Sequence, residues 1–407
     1  MKVRQNLITA LATGSLLLSV LTPMALADTS VQETGNGSAS TNNATFTSSN
    51  TSSLVQNNNA NVANNIASNT NTGGNTTNDN TGGNVTVDTG SAYSAANVTT
   101  QANSNVADMT GSGNTGSTNV ELSGNGSFSQ NGAAVNSTNG SQLFQTNTGT
   151  VNNTISSNTN TGNNDTNRNT GGSVLVLTGN AGSDTSVNTA LNANMARLND
   201  NTAAGGNNNV TISGNGSAST NRADLTQNNS ATVVQNNLAN VLNTIRSRAN
   251  TGNNMTNDNT GGNVTIDTGN ALSRADVMTM ANFNGADMAN GAFTTGTNVK
   301  IAGNGSFSNN AVLAALNNAQ SAFQTGNASV TNDVMTNHNT GNNYANRNTG
   351  AVYGDPLNMI TGFSGAQTNV QTSTNANAYG TNGWQLPGGT NLNFTFDLNG
   401  LLAGMPF

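Results

Sequence analysis

The chain has 407 residues, of which 33% are hydrophobic and 7% charged, with 84 asparagines, 46 glycines, four prolines and no cysteine. A disulfide framework is excluded, and a zinc or haem ligand set has nothing to build on, because His338 is the one histidine. A formal charge of −7 argues against nucleic acid as a partner.

The N-terminus reads as an export leader. Lys2 and Arg4 form a basic start, an apolar stretch runs from Leu7 to Leu21, and Ala25-Leu26-Ala27 offers small residues for cleavage. Cleavage after Ala27 makes residues 1–27 a signal peptide and Asp28 the first mature residue. Loss of Lys2 and Arg4 takes the formal charge from −7 to −9. No later segment reaches the roughly 18 apolar residues of a membrane helix, so no span is expected in the mature chain.

Residues 28–380 are repetitive. Gly-Asn-Gly-Ser begins at Gly35, Gly124, Gly214 and Gly303, at spacings of 89, 90 and 89. The stretch NTGGNTTNDNTGGNVTVDTG from Asn71 returns from Asn160 and Asn250, and in degraded form from Asn339. Four repeats are expected, at about 33–120, 121–210, 211–299 and 300–380. A fainter likeness links NVTVDTGSAYS from Asn84 to NVELSGNGSFS from Asn119, which divides each repeat into two related units.

Val, Ile, Leu and Phe are scarce enough, below roughly 20%, to raise disorder as an alternative. The few apolar residues nevertheless keep the repeat period. Val55, Phe144, Val234 and Phe323 form one column; Val62, Val151, Val241 and Val330 a second; Ile66, Ile155, Ile245 and Val334 a third. Val85, Val174, Val264 and Val352 form a fourth, with shorter columns at Val98, Val187, Val277 and at Leu122, Ile212, Ile301. Stacked repeats would bury each column as a continuous apolar stripe.

Val85-Thr86-Val87 and Val210-Thr211-Ile212 alternate with period two and use β-branched residues. Asn-Thr-Gly-Gly and Ser-Gly-Asn-Gly supply turns. Spacings of seven and four between Val234 and Ile245 also suit a helix, but Asn and Thr are poor helix formers. Asn-rich, charge-poor chains ladder their amides in stacked β-structure. The expected fold is all-β, a β-solenoid-like stack of four repeats with a C-terminal cap strand.

The rare charges alternate in sign between copies: Asp79, Arg168, Asp258, Arg347; then Asp108, Arg197, Asp287; then Asp184 and Arg274. Duplication of a two-repeat unit makes any feature alternate. It does not make signs opposite within the unit. In a parallel in-register stack identical charges would repel, and alternation turns that repulsion into attraction. Size alternates too, at Ala39, Phe128, Ala218, Phe307, which would let layers interdigitate. Both patterns predict that consecutive repeats touch face to face, each as one broad layer. With four copies the first presents Asp79 and the last Arg347, so head-to-tail stacking of subunits would continue the alternation as a filament.

From about Thr381 the composition turns apolar, and Asn393-Phe394-Thr395-Phe396-Asp397-Leu398 alternates as a strand does. Residues 381–407 are expected to cap the stack or to exchange into a neighbouring subunit. Phe394, Phe396, Leu398 and Phe407 are the candidate subunit contacts.

The sequence carries no phosphate loop, no nucleophile elbow and no paired carboxylates. Asp79 and Asp258 sit in oxygen-rich Asn-Asp-Asn-Thr-Gly-Gly, yet Arg takes their place in alternate copies, against a calcium role. No enzyme, cofactor or metal is expected.

The NTGG…NVTIDTGNA repeats resemble the Asn/Thr/Gly-rich secreted repeat proteins of candidate-phylum bacteria, which implies export and β-rich repeats. More loosely the chain is similar to curli-like amyloid subunits and solenoid adhesins. The expected function is a secreted structural component of the cell surface or extracellular matrix that self-associates. The alternative is an adhesin, or a module binding a cell-surface glycan or ice.

Overall fold

The computed structural model describes residues 4–13, 16–20, 29–109, 117–198, 205–288, 295–349 and 357–380, and every described element is a β-strand. Two strands come first, β1 (Arg4–Thr13) and β2 (Leu16–Val20). A five-strand rung follows: β3 (Thr29–Thr34), β4 (Thr41–Asn71), β5 (Thr76–Asn78), β6 (Val85–Asp88) and β7 (Ala92–Asp108). The second rung holds β8 (Thr118–Ser123), β9 (Gln130–Asn160), β10 (Asp165–Asn167), β11 (Val174–Leu177) and β12 (Ala181–Arg197). The third holds β13 (Gly205–Ser213), β14 (Thr220–Asn250), β15 (Met255–Asn257), β16 (Val264–Asp267) and β17 (Ala271–Asp287). The fourth holds β18 (Thr295–Ala302), β19 (Asn309–Asn339), β20 (Tyr344–Asn346), β21 (Leu357–Ile360) and β22 (Ser364–Gly380).

Each strand pairs in parallel with its counterpart one repeat away. Thr41 faces Gln130, which faces Thr220, which faces Asn309. One repeat is therefore one layer, and the molecule is an all-β, solenoid-like stack of five parallel sheets. Parallel strands need a crossover connection, and here the remainder of the repeat supplies it.

Within a rung, β4 is the base. Its 31 residues span about 100 Å at roughly 3.3 Å per residue. β3 covers the first part of its inner face, where Ala44, Ala133 and Ala223 pack with Val120, Leu122, Val210 and Ile212. β7 folds back over the second part. Thr72 Oγ1 donates to the Gly90 carbonyl at 2.6 Å, Asn64 Nδ2 to Thr100 Oγ1 at 3.1 Å, and Gln56 Nε2 to the Val106 carbonyl at 3.0 Å. The chain order is rising on one side and falling on the other, as two facing strands of one turn require. The likeness between the segments at Asn84 and Asn119 has a plain origin, since each is a short strand turning into a long one.

Four of the expected apolar columns, those of Val62, Ile66, Val98 and Leu122, lie in the core where the sequence places them. Ile66, Ile155 and Ile245 pack with Ala96, Val98, Val187 and Val277, and Val151 and Val241 with Leu191. Full burial of such a side chain contributes about 1.5–3 kcal/mol. Three expectations are corrected. The Val55, Phe144, Val234, Phe323 column faces outward, with Val55 and Phe323 each 59% exposed. The buried stripe is its neighbour, Leu54, Leu143, Val233 and Ala322. The Ala39, Phe128, Ala218, Phe307 column sits in a left-handed turn (φ 58, 59, 54 and 58°) and is not core, since Phe307 is 96% exposed. Leu357, not Val352, takes the register place opposite Val264, because the fourth repeat makes a longer connection there. Residues 350–356 and the tail 381–407, with Phe394, Phe396, Leu398 and Phe407, lie outside the described residues.

The Asn-Thr-Gly turns show why the motif varies as it does. A Cβ on Gly162 would sit 2.0 Å from the Gly252 carbonyl oxygen, and Gly73 and Gly252 are as tight, so these three admit no side chain between rungs, while Gly341 in the last rung has room. The next column, Gly74, Asn163, Asn253, Asn342, is left-handed (φ 75, 62, 58 and 54°), and Asn tolerates that region where most residues do not.

Candidate functional site

The candidate site is a set of columns running through the stack. The first charge column is built as ion pairs. Arg168 Nε donates to Asp79 Oδ1 at 2.7 Å and its Nη2 to Oδ2 at 3.0 Å. Arg347 grips Asp258 the same way, at 2.6 and 2.9 Å. All four residues have left-handed backbones (φ 60, 55, 56 and 52°), which aim their side chains outward from a turn. Hydrogen bonding by the guanidinium holds the Asp79 and Asp258 carboxyls below their ordinary value.

The second column is looser. Asp108, Arg197 and Asp287 lie in register, and Arg197 Nε stands 3.9 Å from Asp287 Oδ2. In the third, Asp184 and Arg274 are backbone partners, but the Arg274 guanidinium turns to Asp276 on its own strand at 2.6 Å. A residue two places along a strand lies on the same face, so it competes with the cross-strand partner. The sequence reading missed Arg246–Asp333, at 2.6 Å, because Arg246 sits opposite Met335 and reaches diagonally. It also missed the intrastrand pair Arg222–Asp224, at 2.8 Å.

Amide ladders are the larger feature. Asn42 donates to Asn131 at 2.7 Å, Asn131 to Asn221 at 2.8 Å, and Asn221 to Asn310 at 2.8 Å. The same direction, from first rung to fourth, runs through Asn75, Asn164, Asn254 and Asn343 and through Asn80, Asn169, Asn259 and Asn348. The glutamine column runs the other way: Gln324 donates to Gln235, Gln235 to Gln145, and Gln145 to Gln56. An amide both donates and accepts, so identical side chains can stack where identical charges cannot. Between β4-type and β7-type sheets the ladders merge. Asn194 accepts from Asn105 and Asn147 and donates to Asn237 and Asn284, all at 2.8–3.0 Å. These amides are fully buried and fully bonded, the condition for burying polar groups without penalty.

Because the bonds all run one way, the Asn42 and Asn75 ladders have unlike ends, an amide oxygen leading in the first rung and an amide nitrogen trailing in the fourth. The rung backbones end in the same way. Among the described residues nothing pairs with the outer edges of β3, β4, β5 and β6 at one end or of β18 to β22 at the other.

One depression of about 570 Å³ lies on the outer side of β7, β12, β17 and β22, lined by Tyr93, Leu272, Phe363, Asp184, Arg274 and Gln367, among others. Partial burial, and then the Asp184 carboxylate 3.5 Å away, push the Tyr93 phenol above its ordinary value. Among the described residues no three His, Cys, Asp or Glu side chains gather where a metal could be held. Among them, too, no helix is long and apolar enough to cross a membrane. In comparisons with known proteins, the chain matches no family model, no curated protein and no solved structure.

Proposed function

We propose that this chain is a secreted, non-enzymatic structural protein of the cell surface or extracellular matrix, and that it polymerises head to tail. The observation that carries the reading is the complementarity of its two ends. Among the described residues, parallel edges of 31 residues end the stack unpaired at β4 and β19. Natural proteins normally blunt or cover such edges, because they template pairing with another chain. Here the first rung offers Asp79 and the fourth offers Arg347, and the Asn42 ladder presents an amide oxygen at the first rung and an amide nitrogen at the fourth. A second copy in register would continue every column. Such a contact is heterologous and does not close on itself, so it grows a fibre.

Electron microscopy and fibre diffraction of the leader-free protein test this. Expected are unbranched fibres with a spacing of about 4.8 Å along the axis and a subunit rise of about 19 Å, four strand spacings. Monomers at every concentration would overturn it.

The depression at Tyr93, Leu272 and Phe363 favours a second reading, an adhesin that binds glycan as a monomer. Aromatic and aliphatic faces beside an acid, an arginine and an amide suit a sugar ring. Saturable binding to a glycan array by monomers, lost in Tyr93→Ala, would support it.

A further inference from the structure

The β7 edge differs from every other edge at its end of the stack. Among the described residues β3, β4, β5 and β6 have no strand on that side, but β1 and β2 lie on β7. The pairing is parallel and runs the length of β7, from Arg4 opposite Ala92 to Val20 opposite Asp108. The next rungs repeat this alignment, with Ala92 opposite Ala181, Ala181 opposite Ala271 and Ala271 opposite Ser364. β1 and β2 therefore occupy the place that the last strand of a preceding rung would take.

We propose that the β7 edge is the docking surface for β22 of a second copy of this chain, and that β1 and β2 hold it shut until they are removed. This rests on the head-to-tail reading. By the column alignment, Ser364 of the incoming copy comes opposite Ala92, Val370 opposite Val98 and Asn377 opposite Asn105. Those positions continue a buried valine column and a buried amide ladder.

The block is geometric. A rung docks as one layer, so all five of its strands must reach their edges together. A strand already on β7 holds the incoming layer off by one strand spacing, about 4.8 Å. At that distance the hydrogen bonds along the open β4 edge cannot form. The sequence marks the release point. Ala25-Leu26-Ala27 lies between β2, which ends at Val20, and β3, which begins at Thr29. Cleavage after Ala27 removes both blocking strands and leaves the first rung whole. Export and polymerisation would thus be coupled, and a chain still carrying its leader would not assemble inside the cell.

The test uses the full chain with a specific protease site placed at the 27/28 junction. Light scattering and electron microscopy follow the same sample before and after cleavage. Expected is a monomer before cleavage and loss of the monomer peak into fibres after it. In a second, uncleaved sample, Ile8→Pro with Leu17→Pro places proline in both blocking strands opposite Ala96 and Asn105, where the alternation of the rungs points the N–H at β7, and fibres are expected without cleavage. Equal assembly of cleaved and uncleaved wild-type chains would overturn the block while leaving the fibre reading intact. Assembly of the cleaved chain with none from the proline variant would also overturn it, placing the block elsewhere than at β7. No assembly in any sample would overturn the fibre reading and this proposal with it.

Discussion

Arg168 closes on Asp79, 89 positions earlier in the chain, through two side-by-side hydrogen bonds of 2.7 and 3.0 Å. Both residues hold left-handed backbones, a conformation that Asp tolerates, that is unfavourable for Arg and that is relaxed for Gly. A charge kept at a turn where an uncharged residue would sit more easily marks the pair as chosen for its contact across rungs. It selects the partner layer more than it stabilises the fold, since exposed pairs contribute little.

Substitution in that column separates attraction from repulsion. Asp258→Asn should be tolerated, with little change in thermal midpoint by circular dichroism, because Asn suits the left-handed turn. Asp258→Arg should lower the midpoint clearly more, since three arginines would then follow one another from Arg168 to Arg347. Equal midpoints would remove the case for sign alternation.

Acid should weaken the stack. Arginine partners depress the folded values of Asp79, Asp258 and Asp333, with hydrogen bonding the main cause in each. A carboxyl depressed on folding contributes stability above its unfolded value, near pH 4, and that contribution is lost as pH falls through the folded value. Thermal midpoints measured from pH 7 to pH 2 should hold level to about pH 4 and then fall. A midpoint that rises on acidification would contradict the pairing.

The inner and outer faces of the β4-type sheet should respond differently to truncation. Ile245, fully buried, should cost about 2–5 kcal/mol as Ile245→Ala. Phe323→Ala, on the outer face, should change stability by less than about 0.5 kcal/mol, a typical surface effect. Denaturant unfolding of the two variants checks the assignment of faces.

Asn194 joins four amides, so Asn194→Ala strands buried partners on two sheets. A loss of about 1–3 kcal/mol or more is expected, the cost of leaving at least one buried amide group unsatisfied. Asn69→Ala, in an exposed ladder, should cost far less, and similar losses in the two would show that burial is not what matters.

Gly162→Ala should destabilise by about 1–3 kcal/mol or more, because the new methyl meets the Gly252 carbonyl. Gly140→Ala, whose added carbon would meet its nearest neighbours at 3.5 Å, is the control and should be mild. Circular dichroism melts of both decide it.

The register of the stack was legible in the sequence because a repeat that pairs with itself writes its partners at one period. Asp79 with Arg168 and Ile155 with Ile245 followed from spacing alone. The ladders at Asn42 and Asn194 were visible only as composition, since an asparagine-rich segment does not say which amides point inward. The third charge column misled for a local reason: Arg274 has Asp276 two residues away and Asp184 one layer away, and the nearer carboxylate holds it.

By itself the sequence determined that the chain stacks in parallel and that one repeat meets the next, because period-matched apolar and charged residues have no other economical arrangement. Only the tertiary structure decided which face of β4 is core. Leu54 and Val55 both head apolar columns, and period-two alternation allows either to point inward. Packing against β7 buries the Leu54 column and leaves Val55 and Phe323 in solvent, because side chains on the opposite face of the same strand have no second layer to meet.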